Sequence, residues 1–305
     1  MTNEKRSWLL LISLALIWGS SFILMDRSMH PVNPENRVMG PFQVGSLRVV
    51  IAGLALMPFA WRHLKLLGSK DVGWLILVGV CGNFLPAFLF TLAETRIAPS
   101  LAGILNMGTS FFVVLIGVVI YHAKPTWKQL LGMAIGAIGL YGVLNAKLAF
   151  EWEDVQFALF VLLATLCYAI SLTTIKFKLS AVKPHVITSL SFFVIFFPGL
   201  IVALSVDAFQ PILHHPDGLK SLSYLSVLSI VGTAFAVFIF TKLVSIANHI
   251  FASAVTYLIP VVAVIIGFFT EAKFEMAAVI WMVVILGGVY LMNKKGKTAV
   301  NKDQE

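Results

Sequence analysis

Arg48 is the residue of this sequence with the clearest capacity for chemistry, because it lies inside an apolar segment. It stands about seven residues into a predicted helix, roughly 10 Å along the axis. A charge at such a depth is costly, so it is expected to pair or to line a polar pathway. A guanidinium can hold a carboxylate in a two-point grip. The position of Arg48 therefore indicates one of two roles. It binds an acidic solute, or it is structural and reaches outward or pairs with Glu94 or Asp26.

Three carboxylates lie at the ends of predicted helices, on one side of the predicted membrane: Asp26, Glu94 and Glu271. Acids in this position could accept protons and couple solute movement to proton movement. Glu94 and Glu271 are therefore candidate coupling or gating residues, and the alternative is that they are ordinary interfacial carboxylates. No acid falls clearly in the middle of an apolar segment, so the sequence indicates no buried proton relay.

Uncharged polar and aromatic side chains deep in the apolar segments are the remaining candidates for solute binding. Such groups either join neighbouring helices by hydrogen bonds or line a wet central cavity, and both interpretations stay open. Trp18 and Tyr168 lie at nearly equivalent depths of the first helix in each half of the chain, and flat aromatic walls suit small organic molecules. With Arg48, the candidate substrate-binding residues are Trp18, Asn83, Asn106, Tyr168 and Tyr257.

The common enzyme signatures are absent: the sequence has no His-Glu-x-x-His, Gly-x-Ser-x-Gly or P-loop pattern. His214 and His215 stand in a predicted loop without further clustered ligands, which disfavours a metal site. Cys81 and Cys167 both fall in apolar segments, so no disulfide framework is indicated. We therefore expect no enzymatic activity, no metal and no cofactor.

The composition places these residues in a lipid bilayer. Of 305 residues, 59% are hydrophobic and only 12% are charged, with a mean hydropathy of +0.93. Soluble domains carry about 25% charged residues. The net charge of +8 does not point to nucleic acid, because the cations sit in short loops and the tail rather than on one face. The sequence predicts an all-α integral membrane protein whose partners are lipid and a small organic solute.

Ten apolar segments are long enough to span a bilayer, since a spanning helix needs about 20 residues. The first could pass for a secretory signal, but its apolar run continues far enough to span. The loops 26–40 and 207–218 carry turn residues and read as surface loops. The predicted helices are 8–25, 41–61, 72–94, 98–121, 126–145, 155–176, 184–206, 219–242, 250–270 and 274–292.

A fixed offset of 149 residues relates the two halves of the chain. Gly139 and Tyr141 recur as Gly288 and Tyr290, and Ile97-Ala98 recurs as Ile246-Ala247. The offset predicts two five-helix repeats, 1–148 and 149–293, followed by a basic cytoplasmic tail at 294–305. Five is an odd number, so the second repeat must enter the membrane from the opposite side. Inverted-topology repeats are typical of secondary transporters.

The distribution of cations predicts the orientation. With the N-terminus placed inside, fifteen of the 22 Lys and Arg residues fall on the inner side and six on the outer side. The positive-inside rule then places both termini in the cytoplasm. Gly132 and Gly136 form a Gly-x-x-x-Gly ridge, which predicts close helix packing within the chain or, alternatively, between two copies. Monomer and homodimer both stay open.

Several short motifs resemble the drug/metabolite transporter superfamily, specifically its EamA-type permeases. The likeness extends from about Trp8 to Met292, and the order and spacing of the motifs carry it. The chain departs from the family pattern at His122, where glutamate is common, and at Thr109-Ser110-Phe111, where a proline is usual. The matching motifs are Ile17-Trp18-Gly19-Ser20-Ser21-Phe22, Leu47-Arg48, Ile97-Ala98-Pro99-Ser100-Leu101-Ala102, Ile246-Ala247-Asn248-His249-Ile250-Phe251-Ala252, Pro260 and Thr270-Glu271.

The resemblance implies a ten-helix carrier of the bacterial cytoplasmic (inner) membrane, commonly an exporter of small metabolites, amino acids or drugs. Taken with the inverted repeats, it predicts a secondary transporter that works by alternating access. A passive channel or facilitator is the alternative, and it would favour a continuous polar pore. An integral-membrane enzyme acting on lipid would need a cluster of catalytic groups at one interface, and this chain has only scattered ones.

Overall fold

The structure is a computed structural model that describes residues 3–33, 35–68, 70–122, 126–146, 152–246, 255–270 and 276–293. Across these ranges the chain forms helices and turns, with no strand. Apolar segments take this form because a helix satisfies its own backbone hydrogen bonds where water is absent. Among the described residues, seven helical runs are long and apolar enough to cross a membrane, and two shorter apolar helices are Leu258–Thr270 and Val279–Gly288.

The N-terminal half of the chain contains seven α-helices. Helices α3 and α4 are joined without a break by a π turn, and a short 3-10 helix follows α2. The elements are α1 (Asn3–Met29), α2 (Pro41–Trp61), the 3-10 helix Leu64–Gly68, α3 (Val72–Gly79), the π turn Val80–Phe84, α4 (Leu85–Ala93), α5 (Pro99–Leu105), α6 (Gly108–Val119) and α7 (Trp127–Ala146).

The C-terminal half follows the same plan, and its π turn joins α11 to α12. Proline at the first helical position starts α9, as it does α2 and α5, because proline has the right φ and lacks only a donor that would be unpaired there. The elements are α8 (Trp152–Lys178), α9 (Pro184–Ser205), α10 (Gln210–His214), α11 (Gly218–Ser229), the π turn Ile230–Phe235, α12 (Ala236–Ile246), α13 (Val255–Thr270) and α14 (Met276–Asn293).

Two predicted loops contain helical residues in the structure, and one predicted helix is briefly interrupted. Helix α1 continues to Met29, which lies inside the predicted loop 26–40. The predicted loop 207–218 contains the short helix α10, which Pro211 can start because it stands in the first turn. The predicted helix 98–121 is one spanning run, Pro99–Val119, with a short interruption at Asn106 and Met107 between α5 and α6. Asparagine and the following Gly108 are weak helix formers, which favours a break there.

Helices α2 and α9 pack against each other in opposite directions. Near the start of α2, the Gln43 side-chain amide donates to the Val206 carbonyl oxygen, just past the end of α9, at 3.0 Å. Further along, Val50 lies against Gly199. Residue numbers rise along one helix as they fall along the other, so the two helices are antiparallel.

Helices α7 and α14 form a second antiparallel pair, with glycine at the crossing. A Cβ built on Gly288 would stand 2.6 Å from the carbonyl oxygen of Gly132 and 2.7 Å from the nitrogen of Gly136. A Cβ on Gly139 would stand 3.0 Å from the nitrogen of Ile285. The two backbones therefore touch, as small residues allow. The Gly132 and Gly136 ridge packs within the chain.

Helices α1 and α8 each contact the π-containing run of the opposite half of the chain. Helix α1 packs against α11, α12 and α13, and α8 packs against α3, α4 and α6. Leu14 of α1 and Leu101 of α5 belong to the main apolar core and are almost fully buried. Each of these two helices thus forms the wall that faces a π turn.

The two π turns occupy matching places in the two halves. Gly82 of the first π turn lies against Ser171 of α8, and Gly232 of the second lies against Ser21 of α1. Gly82 and Gly232 are 150 residues apart, and so are Ser21 and Ser171. This offset is one residue longer than the 149 that relates α7 to α14. By this offset Trp18 corresponds to Tyr168. A π turn inserts an extra residue into a helix, and such turns are frequent at functional sites.

Candidate functional site

Arg48 reaches from α2 to the second π turn. Its Nε donates to Thr233 Oγ1 at 3.3 Å, and its Nη1 lies 3.8 Å from the sulfur of Met25 on α1. Neither partner is negatively charged. Within the described ranges, no carboxylate forms an ion pair with Arg48. The guanidinium is only partly buried, so it keeps hydrogen-bonding capacity for a further partner.

The predicted structural pairing of Arg48 with Asp26 or Glu94 is wrong. Asp26 instead contacts His30 one turn further along, with 3.1 Å between its Oδ1 and the ring Nδ1. Glu94 lies just past the end of α4 and is only 4% exposed. It is therefore a buried carboxylate rather than an exposed interfacial one, which keeps it a candidate for coupling or gating.

Trp18 and Tyr168, predicted as aromatic walls, lie beside the same region. The indole Nε1 of Trp18 donates to the carbonyl oxygen of Gly232 at 3.1 Å, next to the Arg48 partner Thr233. The structure thus brings two of the candidate binding residues, Arg48 of α2 and Trp18 of α1, together at the second π turn. Tyr168 of α8 is linked to α1 through the rings of Phe90 and Phe22.

Further aromatic rings extend this wall. The ring of Phe90 lies 5.9 Å from Tyr168 and 5.7 Å from Phe22, measured between centroids. Phe240 lies 5.5 Å from Trp18. Separations of this size are those of interacting aromatic pairs. The chemistry of the region is therefore one guanidinium without an acidic partner in the described residues, set beside a wall of rings.

Asn83 and Asn106 make no contact with this cluster that the described residues show. Asn83 is in the first π turn, and Asn106 is at the junction of α5 and α6. No hydrogen bond or ring contact of the described residues joins either side chain to Arg48, Trp18 or Tyr168. The Oδ1 of Asn106 and the Oγ1 of Thr109 are buried without a hydrogen-bond partner in the part of the chain described. A buried polar atom in this condition is suited to accept a ligand or a water molecule.

Two of the candidates cannot be placed. Glu271 lies outside the described residues, between α13 and α14. Tyr257 belongs to α13, but its side chain lies outside the described part of the chain.

Sequence reasoning missed Thr233, Met25 and Phe90. None of them is charged, and threonine, methionine and phenylalanine are common in apolar helices. Thr233 is 185 residues from Arg48 along the chain. A signal did exist for the π turn, because Gly232 repeats Gly82 at an offset of 150.

We expect Thr233→Val to lower transport about twofold to fivefold. Valine has the shape of threonine but cannot accept the Arg48 hydrogen bond, so the guanidinium loses one group that orients it. An intramolecular hydrogen bond contributes about 1 kcal/mol, and this one is long at 3.3 Å, which sets this range. The measurement is initial flux in reconstituted vesicles. Thr233→Ser keeps the hydroxyl and should retain near wild-type flux, whereas equal losses in both variants would contradict an orienting role.

Comparison with known proteins gives a family. The sequence profile of the EamA-like transporter family matches residues 5–145 and again residues 156–294, so one family unit occurs twice in the chain. Together the two matches cover nearly the whole sequence.

Two relatives carry transporter names. An "Uncharacterized transporter" of Haemophilus influenzae is 28% identical over 126 residues, which is 41% of this chain and 40% of that protein. A "Probable amino-acid metabolite efflux pump" of Salmonella typhimurium is 22% identical over 150 residues, covering 48% and 45%. The matched stretch thus spans less than half the length of either relative.

A solved crystal structure shares the fold. It covers 94% of this chain and 96% of its own, with a TM-score of 0.61 and 18% sequence identity. At this identity the likeness concerns the fold alone. The fold, the double family match and the apolar helices together describe a multi-pass membrane protein.

Proposed function

The chain belongs to the EamA-like transporter family, and from this premise we propose that it is a secondary transporter that exports small organic metabolites, amino acids or drug-like compounds, by alternating access. Within that class, metabolites with a carboxylate fit best. The observation that carries this choice is the Arg48 guanidinium, which bonds only to Thr233 and Met25 in the described residues.

The physical argument starts from the cost of Arg48. A cation at this depth is expensive without a partner, yet its protein partners supply only a hydroxyl and a thioether. A solute carboxylate would offer two strong charge-assisted hydrogen bonds. Trp18 and Tyr168 would then contact the organic part of the solute with their flat faces. The name of the Salmonella typhimurium relative, which refers to amino-acid metabolites, agrees with this choice.

Alternating access requires two similar arrangements of the same parts, which inverted repeats provide. With an offset of 149, Gly139 corresponds to Gly288 and Gly136 to Ile285. Gly139 packs on Ile285 while Gly288 packs on Gly136. Reciprocal contacts of this kind are what a two-fold axis produces. Because the equivalent helices α7 and α14 are antiparallel, the contacts support repeats of opposite orientation.

The proposed arrangement in the membrane follows. Ten spanning helices form two inverted repeats, 1–148 and 149–293, with the tail 294–305 and both termini in the cytoplasm of a bacterial cell. The protein acts in the inner membrane as a monomer or a homodimer. The solute binds near the midplane between the repeats, and Asn83, Asn106, Tyr257, Glu94 and Glu271 remain candidate lining, coupling or gating residues.

A flux assay on purified protein in proteoliposomes tests the proposal. Labelled amino acids and their derivatives are screened, and uptake is compared with that of liposomes without protein. We expect flux that saturates with concentration and accelerates when unlabelled solute is trapped inside. The matching amine that lacks the carboxylate should compete poorly. Linear flux without counterflow would contradict a carrier and favour a channel.

A further inference from the structure

A cavity of about 160 Å³ lies between the end of α2, the start of α9 and the second π turn with α12. This volume is well above the roughly 10–15 Å³ that one water needs. It is separate from the Arg48 cluster, and the solute site proposed above does not use its residues. Its lining divides into a polar wall and an apolar wall, and each wall has consequences for what it can hold.

The polar wall combines three nitrogen-rich side chains from two helices. Arg62 and His63 follow α2, and His185 lies in the first turn of α9. The two imidazole rings stand 6.0 Å apart between centroids. Thr188 and Ser189 add hydroxyl groups to the same wall. Two rings at this distance leave room for one small group between them.

Hydrogen bonding settles which His63 nitrogen is available. Its Nδ1 lies 3.0 Å from the carbonyl oxygen of Phe59. A carbonyl can only accept, so Nδ1 is the donor and the other ring nitrogen is left for a ligand. In the neutral ring this other nitrogen is an acceptor, so it does not donate to an anion.

The charge balance of this wall selects an anion. Arg62 carries a fixed positive charge. None of the residues that line the cavity is an acid. A metal ion is disfavoured by the fixed guanidinium charge, and the described residues contain no group of three metal-binding side chains. An oxyanion would instead meet the Arg62 guanidinium and an N–H of the His185 ring.

The apolar wall indicates which kind of group the anionic ligand carries. Leu56, Phe59, Val237 and Phe238 line this side, and the two phenylalanine rings are 6.0 Å apart. Both rings are about half exposed, at 48% and 50%. Aromatic surface of this kind gains by contact with an apolar group.

We propose that this cavity binds a carboxylate or phosphate that carries a small apolar group. Arg62 and His185 contact the charge, and Phe59 and Phe238 contact the apolar part. Arg62 follows α2 and lies roughly 21 Å along the helix axis from Arg48. The cavity is therefore at the end of α2 that the cation distribution assigns to the cytoplasm.

Two sources could supply such a ligand, a soluble metabolite or the headgroup of an anionic lipid, and the test separates them. Full-length protein is placed in nanodiscs of phosphatidylcholine, and phenyl phosphate binding is measured by calorimetry. In a second arm the midpoint of thermal unfolding is compared between nanodiscs with and without phosphatidylglycerol. Each arm is repeated with His185→Gln and with Arg62→Gln.

We expect wild type to bind phenyl phosphate, to be stabilised by phosphatidylglycerol, or both. In each variant the affinity for phenyl phosphate should fall about tenfold, and the rise in unfolding midpoint with phosphatidylglycerol should shrink. His214→Gln/His215→Gln removes two exposed histidines elsewhere and should leave the response unchanged. His185 is exposed, so its variant should fold, as its unfolding midpoint in phosphatidylcholine would verify. A response in neither arm, or one that survives both substitutions, would overturn the proposal.

Discussion

Transport by the Arg48→Ala variant should fall by about 30-fold or more, while the amount of folded protein in the membrane stays near wild type. The expected loss corresponds to two charge-assisted hydrogen bonds to the solute, each of about 1.5–3 kcal/mol before losses from ordering. Folding should be spared because the side chain makes one long hydrogen bond and one sulfur contact, and no ion pair within the described ranges.

The measurement is initial flux of a carboxylate solute at several concentrations, normalised to protein recovered by gel filtration. Arg48→Lys keeps the charge but loses the two-point grip, so we expect partial activity with weaker apparent affinity. Arg37→Ala removes an exposed arginine of the α1 to α2 loop and serves as the matched control. Wild-type flux in Arg48→Ala would demote the residue to a structural role.

Gly288→Ala should cause the largest loss of stability of any single methyl addition to α14. The new Cβ would meet the backbone of Gly132 and Gly136, at 2.6 Å and 2.7 Å. Backbone cannot rotate away as a side chain can, so α7 and α14 must separate. Overpacking of this kind costs about 3 kcal/mol. The checking measurement is the midpoint of thermal unfolding in detergent, which should drop by several degrees.

The neighbouring residue supplies the control. A Cβ on Gly287 has no atom of the described residues within 4 Å, so Gly287→Ala adds the same methyl group to open space among them. Alanine also favours a helix over glycine by about 1 kcal/mol. The unfolding midpoint of Gly287→Ala should therefore equal or exceed that of wild type. Equal losses in the two variants would mean that glycine at this crossing has no packing role.

Apolar length and turn residues predicted the positions of the helices well where these signals were sharp. The prediction 41–61 coincides with α2, because Pro41 marks its first turn and Arg62 follows its last residue. The break at Asn106 was missed, since hydropathy averages over such a short interruption. Both π turns were missed too, because an apolar run reads alike whether its hydrogen bonds skip four residues or five.

The candidate site was predictable in part, and for a clear reason. Arg48 is conspicuous because charges inside apolar helices are rare, and that holds in a single sequence. The contacts of Arg48 with Thr233 and of Trp18 with Gly232 depend on how α1, α2 and the second π turn pack, across separations of 185 and 214 residues. Spacing along the chain carries no information about such contacts.

The paired π turns also fix how many residues two helical runs must contain. Deleting one residue from Val80–Phe84 would restore ordinary helical pitch and rotate α4 by about 100°. Phe90 would then turn away from Tyr168 and Phe22. Length changes that a surface loop tolerates are thus forbidden here, and in the matching run after Ile230. In each half of the molecule, the number of residues in the π-containing run is therefore constrained more tightly than their identity.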